Sequence, residues 1–327
     1  MRFFDSYIGM FIAQSVLHSF MTLVIIEIAF YSWEIRDHLA KFRYRLLVLI
    51  LPIFVFPVYQ LINPDRGSMY FRENTAIFNL NGWLAIKLWD IIPVYSLFLA
   101  LLSVTMLIFF LQEIFPIVRE KLPKPGYVSY VVPHRDIIGM IEGLCKKLGT
   151  SKPAVRIVDE PYPMLFTTGI KNHVIILSKA LLDKFTDDQM ESALAHEIVH
   201  IVRGSSIKTQ IIYILRMLMF YNPVSLIEFR RLVQDDEFIC DDITVSLTKK
   251  PEALISAIKA FYSHPKEDER SRVSVMKDTI ESHSHNLLLK ERIVKIQEKE
   301  IEDTPGFGWV KFILTTLIIL KINYMVV

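Results

Sequence analysis

The hydrophobic pattern of the chain is dominated by long apolar runs near its amino-terminal end. Runs at about 8–31, 45–62 and 91–114 are each close to the roughly 20 residues that a helix needs to cross the hydrocarbon core of a bilayer. A fourth apolar run covers 308–327 and has an aromatic residue near each end, which is typical of the membrane interface. The first run is too long for a cleavable signal peptide and lacks a small-residue cleavage site. The pattern predicts an integral membrane protein with four spanning helices.

The chain between the third and fourth runs has a different pattern. Apolar and charged stretches alternate there, as they do in a folded domain outside the bilayer. We therefore expect three transmembrane helices in 1–114, a polar domain in 115–306 and a last transmembrane helix in 307–327.

The polar domain contains signals for both helices and strands. A helix is predicted over 133–149, ending on Gly149, and short strands are predicted at 154–160 and 173–178. The segment between these strands is irregular or forms an edge. The domain is therefore expected to be α+β with a small sheet.

Composition agrees with a membrane protein and excludes several other classes. Hydrophobic residues make up 52% of the sequence, and the mean hydropathy is +0.35. The net charge is only +2, and no basic stripe alternates with aromatics, so direct nucleic-acid binding is not expected. Cys145 and Cys240 do not form a C-x-x-C pair, which argues against a disulfide framework.

The distribution of basic residues predicts the orientation in the membrane. The short first loop, 32–45, is richer in Lys and Arg than the longer second loop, 63–90. The positive-inside rule then places the first loop and residues 115–306 in the cytoplasm, with both termini outside the inner (cell) membrane. Because the charge bias is modest, the inverted topology stays an alternative.

A second helix of the polar domain is predicted over 187–203. Thr186 and Gln189 fit a capping box, and Gly204 fits a C-terminal stop. This helix would carry the sequence AHEIVHIV in its second half.

Within that helix, His196, Glu197 and His200 form the pattern H-E-x-x-H. Residues at i and i+4 share one helix face, so both imidazoles can reach one zinc ion, while Glu197 can act on a water beside it. The alternative is a hydrated polar face on an ordinary helix. The neighbouring residues are mostly apolar, however, and three ionisable groups on a buried helix need partners. We therefore predict one catalytic Zn²⁺.

A catalytic zinc site needs a third protein ligand. The stretch at 228–247 offers Glu237, with Asp241 one helical turn later to hydrogen-bond a ligand histidine. A solvated acidic cluster is the plain alternative, and Cys240 is a soft-ligand alternative. For Glu237 to reach the histidines, the apolar stretch at 207–221 must not cross the membrane. We expect it to be a buried or interfacial helix that stops at Asn222-Pro223.

These residues predict peptide-bond hydrolysis. Zinc held by His196, His200 and Glu237 would lower the pKa of its bound water toward ~7. Glu197 would accept the proton and then deliver it to the leaving amine. Val174, Ile175 and Ile176 are candidates for an edge strand that pairs with an extended substrate through main-chain hydrogen bonds.

The run LLDKFTDDQMESALAHEIVHIVRG … FYNPVSLIEFRRLVQDDEFICDD resembles the BlaR/MecR-type membrane zinc metallopeptidases. The resemblance rests on H-E-x-x-H, on Asn222-Pro223 and on an E-x-x-C-D element formed by Glu237, Cys240 and Asp241. The related HtpX-like and CAAX-prenyl proteases share H-E-x-x-H with E-x-x-x-D, and MLFTTGI … VIILSKALL resembles both groups. The resemblance covers roughly 130–300.

The resemblance implies a mostly α integral membrane protein with an α+β, gluzincin-type zinc metallopeptidase domain. Arg292 matches a late helix arginine of these families, which would stabilise the developing oxyanion, and His285 is a second candidate. A salt-bridged surface helix is the alternative for both. The penicillin-binding domain of the family's sensors has no counterpart in this sequence, so direct β-lactam sensing is not expected.

The predicted function is that of a membrane-integral zinc endopeptidase in regulatory proteolysis or signalling. Its partners would be the lipid bilayer and a protein or peptide substrate, such as a cytosolic repressor or a membrane protein. The alternatives are a non-catalytic signalling receptor or scaffold with a structural zinc site, and an HtpX-like quality-control protease. The intact Glu197 argues against the scaffold, because a structural site does not use a base.

Overall fold

The computed structural model describes residues 4, 6–115, 136–159, 163–169, 171–262, 289–298 and 308–327. The chain divides into two compact units. The first consists of Met1–Phe115, Ile211–Asp235 and Asp303–Val327, and the second of Pro116–Gln210 and Asp236–Glu302.

Among the described residues of the first unit, three helices are long and apolar enough to cross a membrane: α1 (Tyr7–Ser32), α2 (His38–Ile62) and the helix Val94–Ile114. The last of these is α5 (Val94–Phe109), continued by a π-helical turn. Helix α2 begins earlier than its apolar run, because the basic segment before the run is also helical and the Asp37 side chain caps the helix by accepting from the Ala40 N–H.

The loop between α2 and α5 contains short elements. They are a 3₁₀ turn (Pro64–Gly67), α3 (Met69–Asn74), α4 (Leu80–Ala85) and a hairpin of β1 (Lys87–Leu88) and β2 (Ile92–Pro93). Buried Arg66 in this loop donates to the carbonyl oxygens of Tyr324 and Asn323, each at 2.9 Å.

The fourth predicted span corresponds to a helix over Trp309–Tyr324. Its 16 residues rise about 24 Å, which is short of the ~30 Å hydrocarbon core, so the fourth crossing stays a prediction. The helix packs within the first unit, where Phe312 and Tyr44 form an edge-to-face pair with centroids 5.0 Å apart.

Polar side chains on one face of α1 join this helix to its neighbours in the first unit. Asn222 donates to the Ser19 hydroxyl at 2.8 Å, and Asn323 donates to the Thr22 hydroxyl at 3.1 Å. All four side chains are buried. Such hydrogen bonds hold helices together where apolar burial provides no driving force.

The second unit contains α6 (Ile137–Leu148), which ends at Gly149, and a three-stranded sheet. The strand order is β3 (Ala154–Val158), β5 (Val174–Ser178), β4 (Leu165–Thr168); β3 is parallel to β5, and β4 is antiparallel to it.

The prediction that Val174, Ile175 and Ile176 form an edge strand is therefore wrong. They lie in β5, the central strand, whose backbone pairs with β3 on one side and with β4 on the other. Ile175 and Leu177 lie on one face of this strand and are fully buried, whereas Val174 and Ile176 on the other face are partly buried. The edge strands of this sheet are β3 and β4.

The remaining helices are α7 (Lys179–Lys184), α8 (Asp187–Arg203), α9 (Ser205–Leu218), α10 (Pro223–Thr248), α11 (Pro251–Tyr262) and α12 (289–297). Helix α8 has the predicted capping box at Thr186 and ends at Gly204, whose φ is 64°. The chain also stops being helical before Asn222, as predicted, and the Asn222 side chain accepts from the Val224 N–H at the start of α10. The Trp309–Tyr324 helix is α13.

Candidate metal centre

The second unit brings the two motif histidines together with Glu237. His196 and His200 project from α8 with their Nε2 atoms 3.0 Å apart. On α10, Glu237 Oε1 lies 3.4 Å from His200 Nε2, and Glu237 Oε2 lies 3.5 Å from His196 Nε2. Three side chains from two helices therefore point at one position.

The spacing of these atoms fits a single zinc ion. Two ligand atoms at 2.0–2.1 Å from a tetrahedral ion lie about 3.3 Å apart, which is close to the three separations above. Two imidazoles and one carboxylate are also a donor set that occurs in catalytic zinc sites, where a further position stays open. His196, His200 and Glu237 would hold the ion.

The buried carboxylate of Asp241 and the buried guanidinium of Arg292 lie next to the histidine and glutamate side chains of this cluster. Asp241 Oδ1 lies 3.1 Å from His196 Nδ1, the nitrogen that faces away from Glu237. Arg292, on α12, donates two hydrogen bonds of 2.7 Å to Asp241 and approaches Glu237 Oε2 at 2.8 Å. Such contacts fix the tautomer and the orientation of a ligand histidine.

The protonation of these groups follows from burial and from their neighbours. Burial works against a charged His196, but its hydrogen bonds to Asp241 and Glu237 outweigh it and raise the pKa of this imidazole to about 9. Burial lowers the pKa of His200. Burial alone would raise the pKa of Glu237, yet Arg292 and His200 hold it well below its usual value, and Arg292 lowers the pKa of Asp241 against the same burial penalty. Both carboxylates are thus anionic.

Glu197 is held by the edge strand of the sheet. It is half-buried, and Thr167 on β4 donates from Oγ1 to Glu197 Oε2 at 2.9 Å. Thr167 is not among the site residues predicted from the sequence. A polar residue in a short strand is a weak indication of a functional role. The hydrogen bond between Thr167 and Glu197 joins distant parts of the chain, and no local sequence pattern encodes it.

The far side of His200 has its own partners. His200 Nδ1 lies 3.4 Å from Cys240 Sγ and 4.0 Å from Asp236 Oδ2. Arg203 donates to Asp236 at 2.8 Å. Cys240 therefore lies behind His200, next to the nitrogen that faces away from Glu237.

The remaining predicted site residues are Arg292, His285 and three residues of β5. The guanidinium of Arg292 is at the site, where it pairs with the carboxylates of Glu237 and Asp241, and it also lies 3.5 Å from His196 Nε2. His285 lies outside the described residues. Val174 and Ile176 are partly buried within β5, and Ile175 is part of the hydrophobic core.

Comparison with known proteins gives one family match. Residues 145–298, which include all the site residues described above, match the family described as BlaR1 peptidase M56.

Curated relatives match shorter parts of the chain. The "Protease HtpX homolog" of Bacteroides fragilis (strain YCH46) is 31% identical over 25% of this chain and 26% of its own length. Homologs of the same name from Dictyoglomus thermophilum and Sulfurovum sp. are each 26% identical; the match covers 38% and 36% of this chain and 52% and 54% of the relatives. The chain thus spans about half or less of these relatives.

Fold and site together define a membrane protein with three candidate spanning helices and a His/Glu cluster suited to a metal ion. The matches confirm the resemblance predicted from the sequence, to the BlaR/MecR-type and HtpX-like membrane metallopeptidases.

Proposed function

We propose that this chain is a membrane-integral, zinc-dependent endopeptidase. The observation that carries the proposal is the convergence of His196, His200 and Glu237 on one position, at separations that suit a zinc ion, with Glu197 next to the first histidine. The family match and the relatives' names support a peptidase.

The chemistry divides between the metal and the side chains. Zinc supplies Lewis acidity, which polarises a peptide carbonyl and makes a water molecule easier to deprotonate. Glu197 accepts the proton of the attacking water at Oε1, because Thr167 donates to Oε2. The water oxygen bonds to the carbonyl carbon, the C–N bond breaks, and Glu197 gives the proton to the leaving amine nitrogen. Asp241 and Arg292 keep His196 oriented for its role as ligand.

The substrate would be a protein or peptide bound in extended form along β4. Among the described residues, β4 lies at an edge of the sheet, the position at which an extended peptide can add to a sheet through main-chain hydrogen bonds. Thr167 places this strand beside Glu197. The substrate-binding strand is therefore proposed to be β4 instead of β5.

The biological role is proposed to be regulatory proteolysis or signalling at the cytoplasmic face of the inner membrane. A repressor or a membrane protein fits as substrate. Quality-control proteolysis is the second candidate, and the names of the HtpX homologs favour it.

The test compares purified native protein with a Glu197→Gln variant on an unfolded model protein. The variant should retain zinc but lose cleavage by roughly 10²–10⁴-fold, the usual contribution of a general base. Glu191→Gln, on the same helix, is the matched control, because Glu191 pairs with Lys250 and touches no proposed ligand. Zinc binding without cleavage by the native protein would instead support a scaffold, and full activity of Glu197→Gln would exclude Glu197 as the base.

A further inference from the structure

The two ligand histidines are supported in different ways. In each imidazole the Nε2 atom faces Glu237, and the Nδ1 atom faces a different side chain of α10. Behind His196 stands a carboxylate, since Asp241 Oδ1 lies 3.1 Å from Nδ1. Behind His200 the nearest described partner is a thiol, Cys240 Sγ, at 3.4 Å from Nδ1.

We infer that Cys240 is a positioning residue for His200: its sulfur accepts the Nδ1–H of this imidazole and leaves the Nε2 lone pair directed at the metal. The inference rests on the proposed function, because it concerns how the same zinc site is held. A neutral imidazole carries one N–H, so fixing that proton on Nδ1 makes Nε2 the donor to a metal ion.

Arg203 explains why the thiol and not the nearby carboxylate has this position. Its guanidinium binds Asp236 Oδ1 at 2.8 Å, while the other Asp236 oxygen stays 4.0 Å from His200 Nδ1. Asp236 is thus held toward Arg203. Cys240, fully buried on the same helix, is the closer of the two to the ring.

The sulfur of Cys240 is buried and has a further polar neighbour. Ser205 Oγ lies 4.0 Å from the sulfur. A neutral sulfur can accept a hydrogen bond without adding charge to the site, whereas Asp241 supports His196 with a full negative charge.

The experiment measures the zinc affinity of the purified full-length protein in competition with a chromophoric chelator. Cys240→Val removes the acceptor at similar volume, Cys240→Ala removes it with a cavity, and Cys240→Ser keeps an oxygen acceptor. Cys145→Val is the matched control, since Cys145 is also buried in this unit but lies on α6 in the hydrophobic core.

We expect Cys240→Val and Cys240→Ala to bind zinc 10- to 100-fold more weakly, the usual effect of losing a partner of a ligand histidine. Cys240→Ser should recover part of the loss, and Cys145→Val should bind as the native protein does. If Cys240→Val bound zinc with the affinity of the native protein, the inference would be overturned, because Cys240 would then contribute only to packing. Failure of the native protein itself to bind zinc would instead overturn the proposed function.

Discussion

The chemistry-bearing residues of the motif could be predicted because they are close in sequence. The i, i+4 spacing on one helix is enough to bring His196 and His200 to one face. Glu237 and Asp241 follow the same rule on a second helix. Glu237 could be assigned to the histidines because a catalytic zinc needs a third ligand, whereas no such requirement pairs Thr167 with Glu197 or Cys240 with the Nδ1 atom of His200, 30 and 40 positions apart.

Thr167 provides a prediction at the residue scale. Replacing Thr167 with Val removes the donor to Glu197 Oε2 and leaves the shape of the side chain nearly unchanged. A hydrogen bond to a charged group contributes about 1.5–3 kcal/mol, and since Glu197 is half-buried we expect the lower part of this range, a roughly tenfold loss in kcat. Steady-state kinetics at full zinc occupancy provide the measurement.

The neighbouring Thr168 offers the control for this prediction. It is exposed at the end of β4, so Thr168→Val should retain the native kcat. Equal kcat values for the native protein and Thr167→Val would show that the hydrogen bond does not position Glu197.

At the scale of helices and strands, the sequence signals for helix ends predict the structure correctly, whereas the pairing of strands could not be predicted from the sequence. The capping box at Thr186 and the stop at Gly204 depend only on neighbouring residues, and both are present. The position of β5 within its sheet depends on which strands pair with it, and that information lies outside its own sequence. A continuous apolar run is typical of a strand inside a sheet, and β5 is the central strand of its sheet.

For the membrane helices, too, some features could be predicted from the sequence and others could not. Apolar length identified α1, α2 and the Val94–Ile114 helix, because bilayer thickness sets that length directly. The early start of α2 was not predicted, since its first turns are basic and do not contribute to hydropathy.

At the scale of the whole molecule, the orientation in the membrane is the prediction that remains. Single cysteines introduced at Ser32 and at Glu73 report on the two loops, because both positions are exposed while Cys145 and Cys240 are buried. With the first loop in the cytoplasm, a membrane-impermeant maleimide should label Glu73→Cys in intact cells and leave Ser32→Cys unlabelled until the membrane is opened. The reverse labelling would establish the inverted topology.

The most direct test of the central claim is zinc K-edge X-ray absorption on the purified, zinc-loaded protein. One ion held by His196, His200 and Glu237 predicts a first shell of nitrogen and oxygen only, at about 2.0–2.2 Å, with the outer-shell pattern of two imidazoles. A sulfur scatterer at about 2.3 Å would make Cys240 a ligand, and a shell without imidazole would remove the histidines from the site; either result would contradict the account.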